Sequence, residues 1–442
     1  MSTAVEIGLQ EALEGTCLAE RLPLAGSAFL ERRSAELAKA SLREPAMRGL
    51  ARVIASSSEM ARYLSLRPGF PERLTDADAS SLERRGEQLP EAAPDPYGDD
   101  LEQFLDESRL FVRDESAFAA CLDLAGIVPL EEVSSFLSLL AETMVERALS
   151  AAQARTTEGP ERGLSVLAMG KLAGRELTYS SDLDLIFLYE GDPDAVVGAS
   201  RVAQRLIHYL STPTGAGVAY AVDARLRPSG GQGMLVTSFD AYARYQREQA
   251  QVWEHLALLR ARAVAGDLER AAPLLSHVHD EVRARRTRPW EEVARLRARI
   301  AAERTDKIGQ RVAFKTGPGG LIDVDFLAAG GQLERGADRG APTLPSVPVM
   351  LAGAAAGPEV EAVLEAYRSL RVVEARARWV AGRATDVLPT EEEPLAVVAE
   401  LVESGLGSVE LLERTHAARK RVREALERVL AAGTVGALER GV

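Results

Sequence analysis

An α+β fold, mostly helical and built around one small mixed sheet, is what this sequence predicts. Three observations carry the prediction. Stretches with apolar residues three and four apart fill most of the 442 residues, the spacing of one helix face. From residue 164 the period changes to short apolar or alternating runs, the mark of strands. Those runs are separated by glycine- and proline-rich turns such as GKLAG and RPSGG, which suit a compact unit of roughly a hundred residues.

In order, residues 1 to about 85 read as helices with short breaks, as in SAFLERRSAELAKASL and PAMRGLARVIASSSEMARYL. EQLPEAAPDPYGDD (87–100) is proline-rich and acidic and reads as an exposed linker. LEEVSSFLSLLAETMVERALSAA places Val133, Phe136, Leu137, Leu140 and Met144 on one stripe of a strong amphipathic helix, which RTTEGPERG breaks. LSVLAMG is a short buried strand ending at Gly170, and DLDLIFLY is a second. ASRVAQRLIHYLST follows as a helix, GVAYAVDARLRP alternates as a third strand halted by Pro228, and GMLVTS is a fourth. FDAYARYQREQAQVWEHLALLRARAV reads as one helix, and 289–305, 321–335, 358–382 and 408–432 as further ones. The division is therefore an N-terminal helical region and linker (1–100), a catalytic α/β unit with its preceding helices (101–285), and a C-terminal helical bundle (286–442).

Composition narrows the function. Apolar residues make up 46% and charged residues 27%, the balance of a soluble globular protein. No apolar run reaches the roughly 18 residues of a membrane span. The N-terminus carries acid where a signal peptide carries base. Two isolated cysteines, Cys17 and Cys121, argue against a disulfide framework or a zinc site and fit the cytoplasm. A net charge of -13 argues against nucleic-acid binding through a basic surface. Of the 53 basic residues only five are lysines, and two of these, Lys171 and Lys315, sit in glycine-rich stretches.

The chemistry concentrates in MGKLAGRELTYSSDLDLIFLY. Residues two apart on a strand point the same way, so Asp182 and Asp184 project together while Leu183 and Leu185 face the core. By the same alternation Asp223, Arg225 and Arg227 share a face of VDARLRP. Paired carboxylates are a ligand set for Mg²⁺, which keeps open positions for phosphate. A third carboxylate with two guanidiniums suits a metal plus polyphosphate oxygens. The bland alternative is a solvated strand end whose aspartates pair with the arginines. GKLAGREL offers backbone N–H groups and an ammonium to phosphate, but lacks P-loop spacing. Ser180 and Ser181 add hydroxyls or ordinary turn chemistry. His208 and His255 lie on predicted helices, and His277 and His279 do not share a helical face; all four read as surface or core histidines. RVREALERVL reads as a solvated helix of the bundle.

GKLAGRELTYSSDLDLIFLY, VDARLRPSGGQGMLVTS, WEHLALLRARAV and FKTGPGGLIDVDF together closely resemble the glutamine synthetase adenylyltransferase family, in order and spacing, over roughly residues 105–430. The resemblance implies a polymerase-β-type nucleotidyltransferase core. It implies that Asp182, Asp184 and Asp223 are the metal-binding and catalytic carboxylates, with two Mg²⁺ ions and ATP as substrate. Gly170, Lys171, Gly174 and Ser181 match the turn that meets the triphosphate, and Arg225 and Arg227 match the basic pair after the third aspartate. Lys315, Gly319, Gly320, Asp323 and Asp325 match the glycine motif opening the helical domain, where Asp323 reads equally as a helix cap. Ala173 and Asp325 depart from the family's usual glycine and glutamate, and neither removes a metal ligand. The family's usual enzyme fuses two halves: one adenylylates a tyrosine of glutamine synthetase, and the other removes the group by phosphorolysis. DARLRPSG, GMLVTS and WEH look more like the C-terminal, adenylylating half. The resemblance thus implies AMP transfer to glutamine synthetase in nitrogen regulation, with a P-II signal protein as a further partner. Its alternatives are phosphorolytic deadenylylation and a non-catalytic half that docks on the synthetase or P-II.

Overall fold

The computed structural model describes residues 4–40, 42–157, 163–191, 193–285, 288–308, 312–336 and 344–439. Part of the breaker RTTEGPERG and the expected boundary near 286 lie outside them.

The sheet has five strands: β1 (Leu164–Met169), β2 (Leu183–Tyr189), β3 (Val222–Asp223), β4 (Val236–Ser238) and β5 (Ala261–Ala265). β1 lies antiparallel to both β2 and β5. β3 and β4 run parallel to β2 and share its other edge, β3 beside Leu183–Asp184 and β4 beside Phe187–Tyr189. Of β1 and β2, every side chain but that of Asp184 is buried, because helices cover both sheet faces. Strand alternation sorts these side chains into two cores. Leu164, Val166, Leu183, Leu185 and Phe187 join a core with the N-terminal helices. Leu167, Met169, Ile186 and Leu188 join a second with the C-terminal helices.

Four helices and the turns around them position the site. α1 (Leu101–Leu124) and α2 (Leu130–Ala154) pack on the first face, α2 burying the expected stripe of Val133, Phe136, Leu137, Leu140 and Met144. α3 (Val196–Ser211) covers the sheet beside α2. α4 (Pro358–Ala381) lies against both cores, with Ala375 and Trp379 in the first and Leu370, Val373 and Ala377 in the second. Its Arg376 pairs bidentately with Asp123 of α1, both buried, and Trp379 Nε1 donates to Ser56 Oγ at 2.8 Å.

Three sequence expectations need correction. The third strand is two residues long; from Ala224 the chain turns, and Arg227 holds that turn by donating to the carbonyls of Ala224, Gly231 and Gly233. The single helix expected over 239–264 is two, Phe239–Glu248 and Val252–Leu258, followed by β5. ARAVA has good helix formers, but the open edge of β1 needs a partner and tertiary pairing overrides propensity. β5 stops at Gly266, whose φ is +79° and whose missing side chain would meet the Leu164 carbonyl at 1.9 Å. The stretch 87–100 is helical as far as Ala92, and beyond it Arg155 Nη1 ties the Pro96 carbonyl to α2 at 2.8 Å. Among the described residues no helix is long and apolar enough to cross a membrane.

Candidate active site

The link from β1 to β2 is a single helical turn, Gly170–Ala173, followed by a loop to Asp182. Gly170, Arg175 and Ser180 all have φ between +53° and +56°. Left-handed backbone at Arg175 and Ser180 costs on the order of 1–3 kcal/mol each and collects at functional turns. Ala173 sits inside the helical turn, a conformation alanine adopts freely.

Asp184 and Asp223 are direct partners across the parallel β2–β3 pair, and the Leu183 N–H donates to Ala221 O, just before β3, at 2.9 Å. Asp182 lies one residue before β2, exposed, and acts electrostatically on Asp184. Burial, then the neighbouring Asp182 and Asp223 carboxylates, push the Asp184 pKa up to about 6, against the pull of Lys315 and Lys171. A buried carboxylate raised by two like charges is a place that favours a cation. The three do not, however, form a ready-made cage: among the described residues no group of three acids or other ligands is close enough to hold a metal ion. Asp223 is instead engaged by Arg225, whose Nε lies 2.8 and 3.0 Å from its two oxygens, and this partner holds its pKa below the usual carboxylate range. The donor chemistry fits Mg²⁺, with Arg225 as the counter-charge that a metal would replace.

The remaining expected residues divide. Gly170 N–H donates to Arg260 O at 2.8 Å, so its amide is committed; its missing side chain leaves room 3.6 Å from Asp184 Oδ2. Lys171 lies beside the aspartates, paired with fully buried Glu374. Burial lowers the Lys171 pKa; Lys171, Arg371 and Arg378 hold Glu374 well below its usual range despite its own burial. Ser181 Oγ accepts from Thr178 N at 3.1 Å and from Arg378 Nη1 at 3.2 Å. Lys315 reaches Asp386 at 3.7 Å and acts on Asp184.

Other expected residues serve the frame. Space beside Gly174 is filled by Glu176, Pro345 and Arg260. Arg260 pairs with both Glu176 and Asp325, while Tyr367 Oη donates to Glu176 at 2.7 Å, so Asp325 belongs to this buried network. A side chain at Gly319 would meet the Arg419 carbonyl at 1.8 Å, and one at Gly320 the Lys315 carbonyl at 2.5 Å. Asp323 accepts from Gly319 N at 2.7 Å and faces Arg297 at 3.1 Å, reaching back over the start of the helix Leu321–Arg335. Of the histidines, His255 and His279 rings meet backbone oxygens of Gln246 and Leu258 at 3.1 and 2.8 Å, far from a metal set. Sequence reasoning missed Glu374, Arg378 and Asp386. Their only signal was the face-sharing spacing of Arg371, Glu374 and Arg378.

Gly170→Ala tests the turn. The new methyl clashes with nothing, but φ of +56° disfavours any side chain. Stability is expected to fall by about 1–2 kcal/mol, and turnover further than substrate binding. Unfolding in urea and steady-state kinetics measure the two effects.

Comparison with known proteins agrees with the motifs. The model of the family described as glutamate-ammonia ligase adenylyltransferase matches residues 47–276, just over half of the chain. A GlnD PII-uridylyltransferase model matches residues 291–430. The bifunctional glutamine synthetase adenylyltransferase/adenylyl-removing enzyme of Nitrosococcus oceani is 37% identical over 331 residues, 68% of this chain and 34% of that relative. The chain thus spans about a third of the relative's length. On the match across its sheet, catalytic turn and preceding helices, the chain belongs to the glutamate-ammonia ligase adenylyltransferase family.

Proposed function

We propose that this chain transfers AMP from ATP to a tyrosine of glutamine synthetase in the regulation of nitrogen assimilation. The observation that carries the reading is the β2–β3 register, which sets Asp184 beside Asp223 with Asp182, Lys171 and Lys315 in electrostatic reach. Attack of the tyrosine oxygen on the α-phosphorus forms one P–O bond and breaks another, releasing pyrophosphate. A phenol of pKa near 10 needs activation at neutral pH. Two Mg²⁺ ions, held by Asp182, Asp184 and Asp223, would supply Lewis acidity and charge for the triphosphate. Asp223, freed from Arg225, accepts the phenol proton. Lys171 and Lys315 offset the charge of the departing pyrophosphate, an electrostatic role. Arg225, exposed and adjacent, is free to meet phosphate once released.

Likeness to a GlnD PII-uridylyltransferase over 291–430 supports a P-II signal protein as regulatory partner of the helical part.

Incubation with unmodified glutamine synthetase and ATP labelled at the α-phosphate tests the reading. Label on the synthetase tyrosine is expected. No label, together with ADP release from adenylylated synthetase and phosphate, would assign the reverse reaction instead.

A further inference from the structure

α4 turns one face to the catalytic turn, and Arg371, Glu374 and Arg378 lie on it three and four residues apart. Glu374 gathers Lys171, Arg371 and, at 3.3 Å, Arg378. Arg378 reaches three further groups: Nη1 donates to Ser181 Oγ at 3.2 Å, Nε donates to Thr385 O at 3.3 Å, and Nη2 lies 3.8 Å from Asp386. Asp386 in turn lies 3.7 Å from Lys315. Four cations from three separate stretches of chain therefore gather around two acids along the rim of the aspartate site.

The two acids differ in kind. Glu374 is fully buried and its pairs with Lys171 and Arg371 are close, so they stay intact when a ligand arrives. Asp386 is 26% exposed, Lys315 is 36% exposed, and the Asp386 pairs with Lys315 and Arg378 are near the outer limit of an ion pair. The exposed Lys315 pair, at that length, is weak, and a polyphosphate of higher charge outcompetes a single carboxylate for Lys315. Ser181 adds direction. Its hydroxyl oxygen already accepts from Thr178 N and Arg378 Nη1, with Thr178 Oγ1 a further neighbour at 3.4 Å. Arg378 thereby fixes the place of the hydroxyl next to Asp182 in the chain.

We propose that Arg378 is a positioning residue for the nucleotide's phosphates and that Asp386 is the internal anion those phosphates displace from Lys315. The proposal rests on the nucleotidyl-transfer reading and extends the site into the helical part of the chain. Lys315 and Lys171 make the phosphate contacts, and Arg378, with a side chain only 3% exposed, acts through Ser181.

Isothermal titration of the full chain with inorganic tripolyphosphate, ATP and AMP tests it. Asp386→Asn is expected to bind tripolyphosphate about 3- to 10-fold more tightly, since a competing anion is gone. Arg378→Gln is expected to weaken ATP and tripolyphosphate about 10- to 100-fold while AMP changes little. Arg378→Lys restores part of that loss, keeping the charge without the fork. A purely structural arginine would weaken all three ligands alike. Asp386→Asn binding tripolyphosphate no more tightly than wild type overturns the inference, even should Arg378→Gln fail to fold. Wild-type protein that takes up neither ATP nor tripolyphosphate overturns the nucleotidyl-transfer reading itself.

Discussion

Asp184→Asn is expected to lower AMP transfer on the order of a thousand-fold or more while raising the melting temperature of the ligand-free protein. The opposed signs share one cause. Asp184 is held among Asp182 and Asp223 and largely out of water, which pushes its pKa up to about 6. A carboxyl whose folded pKa exceeds its unfolded value binds its proton more tightly when folded. Its contribution is therefore most favourable at low pH and is lost as pH rises from about 4 through 6. At neutral pH the ionised group costs the fold about 1–3 kcal/mol. The amide keeps the shape and removes that cost, together with one ligand oxygen and its charge. Calorimetry without nucleotide and the labelled-ATP assay read the two effects. A variant that is both fully active and no more stable than wild type would falsify the assignment of Asp184.

Arg376→Leu is expected to cost about 3–5 kcal/mol, the range for stripping one partner from a buried ion pair. Asp123 is nearly inaccessible and accepts from two Arg376 nitrogens and, at 2.7 Å, from Tyr179 Oη. Arg376 Nε also donates to Leu401 O at 3.0 Å. Removing the guanidinium strands a buried anion between α1 and α4. Replacing Asp123 by asparagine as well should recover part of the loss, so the double variant is less damaged than the sum of the singles. Urea unfolding gives the values. A loss below about 1 kcal/mol for the single variant would show the pair to be solvated, contrary to its burial.

Much of this molecule was legible in its sequence, for reasons visible in particular residues. β1 and β2 announce themselves as short apolar runs, and the stripe from Val133 to Met144 announces α2. The electrostatic coupling of Asp182 to Asp184 agrees with their spacing of two. β5 stayed hidden because its alanines and arginine favour helix and its reason for being a strand lies in β1, about a hundred residues earlier. β3 was overextended since an alternating pattern continues into a turn that Arg227 stitches through carbonyls. The α4 residues beside the catalytic turn were harder still. Arg371, Glu374 and Arg378 look like any arginine-rich helix until the fold brings them some two hundred residues back to Lys171 and Ser181.

The alternation of β1 and β2 between two apolar interiors has a consequence for how such chains can be divided. The two family likenesses meet between residues 276 and 291, a seam in the matches. Yet Leu167, Met169, Ile186 and Leu188 on one side of that seam share their interior with Trp290, Val293 and Leu327 on the other. Severing the gene there would leave each fragment with a raw, water-exposed oily flank. The two segments therefore depend on one another to keep that interior dry.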